Sequence, residues 1–166
     1  SALLDEEEGK ACTIVGAVDP EPGRCGRLGE LETRGIPVFP SMEGFYRRGS
    51  AELAVISSPI QQHSEQACLA LDRGSDVLVE KPAAAVTRDV DRMIQARDRA
   101  ERFVAVGFQW CFSPSILRVK EDILAGRFGE PCWGRSLTLW PRTEAYYGRN
   151  DWAGRRRDGE GRWILD

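Results

Sequence analysis

Short apolar runs alternate along this chain with stretches of helical periodicity, and this alternation limits the possible folds more than any other feature. The clearest runs are CTIVGAV at 12–18, LAVI at 53–56, DVLV at 76–79 and FVAV at 103–106. Each is short and rich in β-branched residues, as expected of a buried strand. Strands separated by helices of ten or more residues indicate βαβ crossovers and a parallel sheet. We therefore predict an α/β fold, Rossmann-like, with helices on both faces of the sheet.

Three helices have clear boundary signals. Ser58 is a candidate cap, Pro59 fits a first turn, and Gly74 is a stop. Thr87 begins a longer helix, and Ser113-Pro114 repeats the cap-plus-proline start. Weaker signals predict helices at 2–8, 22–31 and 42–46, a brief strand at 38–39, and a longer strand at 131–140.

The chain changes character after Trp140, where arginine and glycine become frequent. A long irregular segment inside a compact domain is uncommon and often functional. We divide the chain into a partial Rossmann-like domain at 1–111 and, at 112–166, a linking helix with the beginning of a second α/β domain.

Composition excludes several classes of function. The chain is 42% hydrophobic and 30% charged, with a formal net charge of −3. A nucleic-acid-binding domain calls for a basic face, and a membrane span needs an apolar run of about 20 residues. Neither feature is present in the sequence, so we expect no nucleic-acid partner and no membrane partner.

The cysteines indicate a reducing compartment. The chain has five, an odd number, and no two are spaced as C-x-x-C. This pattern argues against a disulfide framework and against a zinc site. We therefore expect reduced thiols and a cytoplasmic protein that holds no metal.

Polar and charged residues follow three of the predicted strands. Asp19-Pro20 follows the first, Ser57-Ser58-Pro59 another, and Glu80-Lys81-Pro82 the run at 76–79. Ligands of open α/β sheets bind at the carboxyl ends of the strands. A surface ion pair followed by a turn is the alternative for Glu80-Lys81-Pro82 alone, but three such strand ends favour a binding site.

Asp19 bears on the choice of cofactor. An acid at the end of the second strand of a dinucleotide-binding sheet accepts hydrogen bonds from the adenosine ribose and repels a 2′-phosphate. Asp19 therefore favours NAD over NADP. Arg24 is close enough to Asp19 in sequence to reach a 2′-phosphate, so NADP stays possible. The alternative for Asp19 is that it only forms an Asp-Pro turn.

No G-x-G-x-x-G turn precedes Asp19, although such a turn normally lets a pyrophosphate approach backbone amides. The first strand of the usual order, which is central, is missing from the sequence as well. Either the chain is a fragment, or another chain or a rearranged strand order completes the sheet. We expect a fragment.

These motifs together resemble the Gfo/Idh/MocA oxidoreductases, the relatives of glucose–fructose oxidoreductase and inositol dehydrogenase. The resemblance is carried by AVISSP at 54–59 with His63, by VEKP at 79–82, by VGFQ at 106–109 and by Ser113-Pro114. It covers about residues 11 to 140, in order and spacing. It implies a Rossmann domain that binds NAD or NADP, joined to an α/β domain with an open sheet.

The resemblance also implies roles for individual residues. Cofactor-binding positions would be Asp19, Ser57, Ser58, Pro59, His63, Glu80, Lys81 and Gln109, with His63 at the rim of the groove. Glu80 would orient the Lys81 amine, and Lys81 would also reach the substrate hydroxyl. A structural role for His63, the only histidine of the chain, is an equal alternative.

Lys81 has a plausible chemical task. Removal of hydride from an alcohol carbon requires loss of the hydroxyl proton, and a nearby ammonium stabilises the developing alkoxide. The family's main proton-transfer pair, an aspartate and a histidine, would lie beyond residue 140 in the second domain. This chain offers only Asp151 and Asp166 there by residue type, so we expect the chain alone to be poorly active or inactive.

The predicted function is hydride transfer between NAD(P) and a sugar, a polyol or a related hydroxy compound. Trp152 is the best candidate for a substrate contact; Trp133 and Trp140 are expected to pack in the core or between domains. The arginines after Trp140 either hold an anionic substrate or form a solvated loop. A non-catalytic dinucleotide-binding relative and an assembly role, with the sheet paired to another copy, are the alternatives. We expect a homo-oligomer.

Overall fold

The computed structural model describes residues 12–130, 132–149 and 152–164. Five strands run through this part of the chain: β1 (Ala17–Val18), β2 (Val38–Phe39), β3 (Leu53–Ile56), β4 (Asp76–Val79) and β5 (Val104–Val106). The α-helices are α1 (Leu28–Thr33), α2 (Met42–Tyr46), α3 (His63–Asp72), α4 (Thr87–Ala100), α5 (Pro114–Leu124) and α6 (Glu144–Tyr147). Short 3-10 turns lie at Pro22–Arg24, Ile60–Gln62 and Gln109–Phe112.

All strand pairing in these residues is parallel, as predicted. The strands form a pair, β1-β2, and a separate three-stranded sheet of order β3-β4-β5. In the larger sheet Ile56 lies beside Val79, and Val79 lies beside Val106. The three strands therefore end at the same level.

The core lies between the three-stranded sheet and α3 and α4. Ala67, Val77 and Val79 are fully buried, and Leu71, Met93 and Ala96 are nearly so. Alternation on β4 sends Val77 and Val79 toward the helices, as the period of two in a strand requires. Gly74 ends α3 with φ +83°, a left-handed conformation that favours glycine, so its predicted role as a stop is confirmed.

The opposite face of this sheet differs from the prediction of helices on both faces. Leu53, Val55 and Leu78 point away from α3 and α4 and are 37–49% exposed. Phe103, just before β5, is 65% exposed. The described helices that pack into the core cover one face only.

Helix α2 joins the strand pair to the larger sheet. The buried ring of Phe45 packs edge-on against Phe39 of β2, with ring centroids 5.4 Å apart. The Tyr46 hydroxyl lies 2.7 Å from Ser75 Oγ, and Ser75 Oγ donates to the Ala51 carbonyl at 2.6 Å. Because Ser75 precedes β4 and Ala51 precedes β3, this contact lies at the amino end of the sheet.

Several predicted elements need correction. The strand predicted at 12–18 forms only at Ala17–Val18, and the helix predicted at 22–31 is a 3-10 turn followed by α1. Residues 132–140 form no strand, because none of the described strands pairs with them. The predicted helix at 2–8 and residue 131 lie outside the described residues.

Two helix starts differ in how well they were predicted. Ser58 does not cap α3: a 3-10 turn intervenes, and Ser58 Oγ donates to Gln66 Oε1 at 2.7 Å. Ser113 does cap α5, where its Oγ accepts a hydrogen bond from the Ile116 N–H. Within the described ranges no helix combines the length and the apolar character that crossing a bilayer requires.

Candidate functional site

The residues that follow β3, β4 and β5 form one edge. The Glu80 N–H donates to the Ile56 carbonyl at 2.8 Å, and the Gly107 N–H donates to the Val79 carbonyl at 2.8 Å. These two bonds extend the ladder past the strands and hold Ser57, Glu80 and Gly107 side by side. A Cβ on Gly107 would lie 3.6 Å from Glu80 Cδ, an ordinary packing distance. The structure therefore brings together the predicted residues at 57 and 80, and Gln109 follows two positions after Gly107.

Lys81 is exposed at this edge. Its ammonium makes no ion pair or hydrogen bond with any residue that the structure describes. Glu80 does not orient the amine as predicted, because its Oε2 instead accepts a hydrogen bond from the Lys81 backbone N–H at 3.1 Å. Glu80 therefore fixes the backbone of the turn and leaves the Lys81 ammonium available to a ligand.

His63 lies behind the edge and not at its rim. The ring is 1% exposed, with Nδ1 2.9 Å from the Pro82 carbonyl and Nε2 2.8 Å from the Ser58 carbonyl. A neutral imidazole donates to one of these oxygens, and only the imidazolium donates to both. The ring joins the turn after β3 to the turn after β4. The structural alternative for this residue therefore has direct geometric support.

Asp19 ends β1 in the separate strand pair. Its N–H continues the ladder to the Phe39 carbonyl at 3.0 Å, and its Oδ1 accepts from the Glu21 N–H at 2.8 Å. Its second carboxylate oxygen has no partner among the described residues, so it can accept a hydrogen bond from a ligand. Arg24 is engaged with Glu21, at 3.0 Å. No hydrogen bond or ion pair in the described ranges links Asp19 to the residues at 57–59 or 80–81.

A cleft adjoins the end of β5. Gln109 and Trp110, both exposed, begin the 3-10 turn after this strand. Trp110 lines the cleft together with Thr138, Leu139 and Trp140. Trp133 and Trp140 are not packed in a core of the described residues, because these rings are 81% and 64% exposed; packing of the two rings between domains stays a prediction. Sequence reasoning missed the cleft because the apolar pattern of 131–140 was interpreted as a strand.

Trp152, the predicted substrate contact, is half-buried in the irregular region. The guanidinium carbon of Arg149 lies 5.7 Å from its ring centroid. Asp151 and Asp166, the candidates by residue type for proton transfer, lie outside the described residues.

A thiol and a carboxyl group away from the edge have shifted pKa values. Burial raises the pKa of the Cys68 thiol above its ordinary value. Burial alone would also raise the pKa of Asp158, but hydrogen bonds from the Arg162 side chain and from the N–H groups of Arg162 and Glu160 lower it below the usual range. Neither group adjoins the strand ends in sequence, so we assign neither to the site.

Comparison with known proteins agrees with this geometry. Residues 2–108 match the model of a family described as an oxidoreductase family with an NAD-binding Rossmann fold, GFO_IDH_MocA. A 1-carboxy-3-chloro-3,4-dihydroxycyclohexa-1,5-diene dehydrogenase of Comamonas testosteroni is 37% identical over 70% of this chain and 29% of its own length. An inositol 2-dehydrogenase of Rubrobacter xylanophilus is 29% identical over 77% of this chain and 38% of its own length.

A solved structure is similar over a longer stretch. The WlbA dehydrogenase of Bordetella pertussis, in complex with NADH and UDP-GlcNAcA, has a TM-score of 0.76 and 28% identity, over 89% of this chain and 44% of that one. The chain thus spans less than half the length of these relatives. The family match covers more than half of the chain and includes the strand ends described above. The chain therefore belongs to the Gfo/Idh/MocA oxidoreductase family and has its Rossmann-like fold.

Proposed function

We propose that the protein is an NAD-dependent oxidoreductase that transfers hydride between a nicotinamide cofactor and a sugar, a polyol or a related hydroxy compound. The observation that carries the proposal is the edge where β3, β4 and β5 end together, with an unpaired Lys81 ammonium among exposed polar residues. Family membership and dehydrogenase relatives support the same activity.

The residues present fit a dinucleotide. The free carboxylate oxygen of Asp19 would accept a hydrogen bond from the adenosine ribose, and Ser57, Ser58 and Pro59 would line the groove. Gln109 would border the nicotinamide pocket. A carboxylate repels a 2′-phosphate, and Arg24 is paired with Glu21, so NAD is favoured over NADP. NADH in the solved WlbA complex supports a nicotinamide cofactor in general.

Lys81 would be the catalytic residue that this chain contributes. The cofactor, when bound, supplies the hydride acceptor. The Lys81 ammonium would contact the substrate hydroxyl and stabilise negative charge on its oxygen as the proton leaves. Glu80 would hold the backbone of the turn, and His63 would keep the neighbouring turns in register, so His63 would assist binding without touching the cofactor directly.

The remaining predictions are part of the same proposal. The family match ends at residue 108, which supports a domain boundary near 111. The proposed compartment is a reducing cytoplasm, because the cysteines are odd in number and no two are spaced as C-x-x-C. The exposed apolar face at Leu53, Val55 and Leu78 is compatible with a homo-oligomer.

Calorimetric titration with NAD and NADP tests this function. It would be performed on this chain and on any longer translation product that contains it, because the relatives are more than twice as long. We expect the longer product to bind NAD more tightly than NADP and to reduce NAD in the presence of myo-inositol or another polyol. Absence of binding of either dinucleotide to the longer product would refute the proposal.

A further inference from the structure

Arginine and aromatic side chains alternate in a single row after the cleft. The Arg142 guanidinium lies 5.2 Å from the Trp140 ring and 4.3 Å from the Tyr146 ring. The Arg149 guanidinium lies 4.0 Å from the Tyr146 ring and 5.7 Å from the Trp152 ring. We call this row, Trp140–Arg142–Tyr146–Arg149–Trp152, the Arg–aromatic stack.

The two guanidinium groups of the stack are available to an anion. Stacking occupies the face of a guanidinium and leaves the N–H groups in its plane free to bind a carboxylate or a phosphate in a bidentate manner. Within the described ranges neither Arg142 nor Arg149 makes an ion pair. Arg162 differs, because its donors are bound to Asp158 at 2.7 Å and to Glu160 at 3.2 Å.

Local packing holds the stack in place. Tyr146 and Tyr147 of α6 contact edge to face, with centroids 5.4 Å apart. Tyr147 packs on Gly154, where a Cβ would lie only 2.5 Å from Tyr147 Cδ1 and where φ is +74°. Glycine at 154 therefore permits the close approach that fixes α6 against the segment after residue 151.

The stack continues from the candidate site. Its first ring, Trp140, lines the cleft that Trp110 also lines. Trp110 follows β5, which pairs with β4, and Glu80 and Lys81 come directly after β4. The cleft therefore adjoins the strand next to the one that Lys81 follows, and Arg142 adjoins the ring of Trp140 that lines it.

We propose that Arg142 and Arg149 bind an anionic group of the substrate, a phosphate or a carboxylate, that is distant from its reacting carbon. This inference rests on the proposed function, because it assigns a substrate class to the same site. The ligand would be a sugar derivative that carries negative charge, and the tyrosine between the two arginines would hold both guanidinium groups at a fixed spacing.

The test uses the double variant Arg142→Gln/Arg149→Gln, in this chain and in any longer product that contains it. Two probes distinguish the possible anions: uridine diphosphate carries phosphate without a carboxylate, and glucuronate carries a carboxylate without phosphate. We expect the wild type to bind at least one probe in calorimetry. The double variant should bind that probe at least about tenfold more weakly, because two charge-assisted hydrogen-bonding groups are lost.

Three further variants separate specific recognition from charge or folding effects. Arg102→Gln removes one positive charge, against two in the double variant, from an exposed side chain near the amino end of β5, and should leave affinity unchanged. Tyr146→Phe keeps the ring between the arginines and should bind like wild type, whereas Tyr146→Leu should bind more weakly. Equal loss in Arg102→Gln, unchanged affinity in the double variant, or no binding of either probe to wild type would overturn the inference.

Titrations with and without NADH distinguish this inference from the proposed function. If NADH does not bind but a probe binds in an Arg142- and Arg149-dependent manner, the oxidoreductase proposal fails and the anion site stands. If NADH binds and the probes do not, the anion site fails and the cofactor site stands.

Discussion

At the scale of single residues, the strand ends were predictable and their hydrogen bonds were not. Glu80-Lys81-Pro82 follows an apolar run, so its place at a sheet edge follows from parallel pairing alone. The choice of the Lys81 backbone N–H as the partner of Glu80 depends on the local path of the chain, which composition does not encode.

Replacement of Lys81 tests the central residue of the proposal. Lys81→Met should reduce kcat by about 100-fold or more, because an electrostatic donor to a developing oxyanion is lost. The Kd for NADH should rise by a smaller factor than kcat falls, because Lys81 is only one of several residues expected to bind the cofactor. Lys120→Met, on the exposed surface of α5, is the matched control and should retain activity. Steady-state kinetics with NAD, on a longer translation product that contains this chain, compares both variants with wild type, and equal rates for Lys81→Met and an active wild type would contradict the assignment.

Cysteine reactivity tests the structure at a second residue. Burial raises the pKa of Cys68, so less of this thiol is the reactive thiolate near neutral pH. Cys111 and Cys132 are exposed. Mass spectrometry after timed iodoacetamide treatment should find Cys68 modified more slowly than these two. The rate of Cys68 modification should increase at a higher pH than the rates for Cys111 and Cys132. Equally fast modification of all three thiols at neutral pH would contradict the packing of α3.

At the scale of elements, local signals predicted what local interactions determine. Helices α3, α4 and α5 and strands β3 and β4 carry periodicity, caps or breakers that suffice to locate them. The predicted strand at 131–140 does not form in the described residues 132–140. Alternation of apolar and polar residues indicates only a preference for extended backbone, whereas a strand also needs a neighbouring strand that supplies hydrogen bonds. Sequence reasoning placed His63 on α3 but did not find the two carbonyls that it bridges.

The bridge through His63 predicts coupling between the turns after β3 and β4. His63→Leu should lower the free energy of unfolding by about 1–3 kcal/mol, because the hydrogen bond from the ring to the Ser58 or the Pro82 carbonyl is lost and the two turns lose the ring that joins them. It should also weaken NADH binding, which a merely local packing defect would leave intact. Glu65→Gln, an exposed position on the same helix, is the control. Urea unfolding and calorimetry measure the two effects, and wild-type NADH affinity in His63→Leu would exclude the coupling.

At the scale of the whole molecule, the sequence predicted a parallel α/β architecture with helices on both faces of the sheet. The structure has two separate parallel units, and the described helices that pack into the core of the larger one cover a single face. Strand patterns could not predict that the described helices leave the second face of the larger sheet uncovered. A continuous apolar run predicts that a strand is buried, but it does not show which element buries it.

Hydrogen exchange should reveal unequal stability across the two units. Strand β4 is central, and Val77 and Val79 are fully buried, whereas β1 and β2 contain two residues each. Amides of β4 should exchange about 100-fold more slowly than those of β1 and β2, after correction for intrinsic rates. Measurement by NMR or mass spectrometry tests this, and equal protection would mean that the molecule opens as one unit.

The contact among Tyr46, Ser75 and Ala51 has a mechanical consequence for ligand binding. It fastens α2 to the larger sheet at the amino end, while Asp19 and Lys81 stand at the opposite end of their strands. Because α2 is held to the sheet at the amino end of the strands, a small change in the angle between the two units would produce a larger change in distance at the carboxyl ends. A substitution at Tyr46, which is remote from the ligand, would therefore alter the distance between Asp19 and Lys81 that the ligand must span.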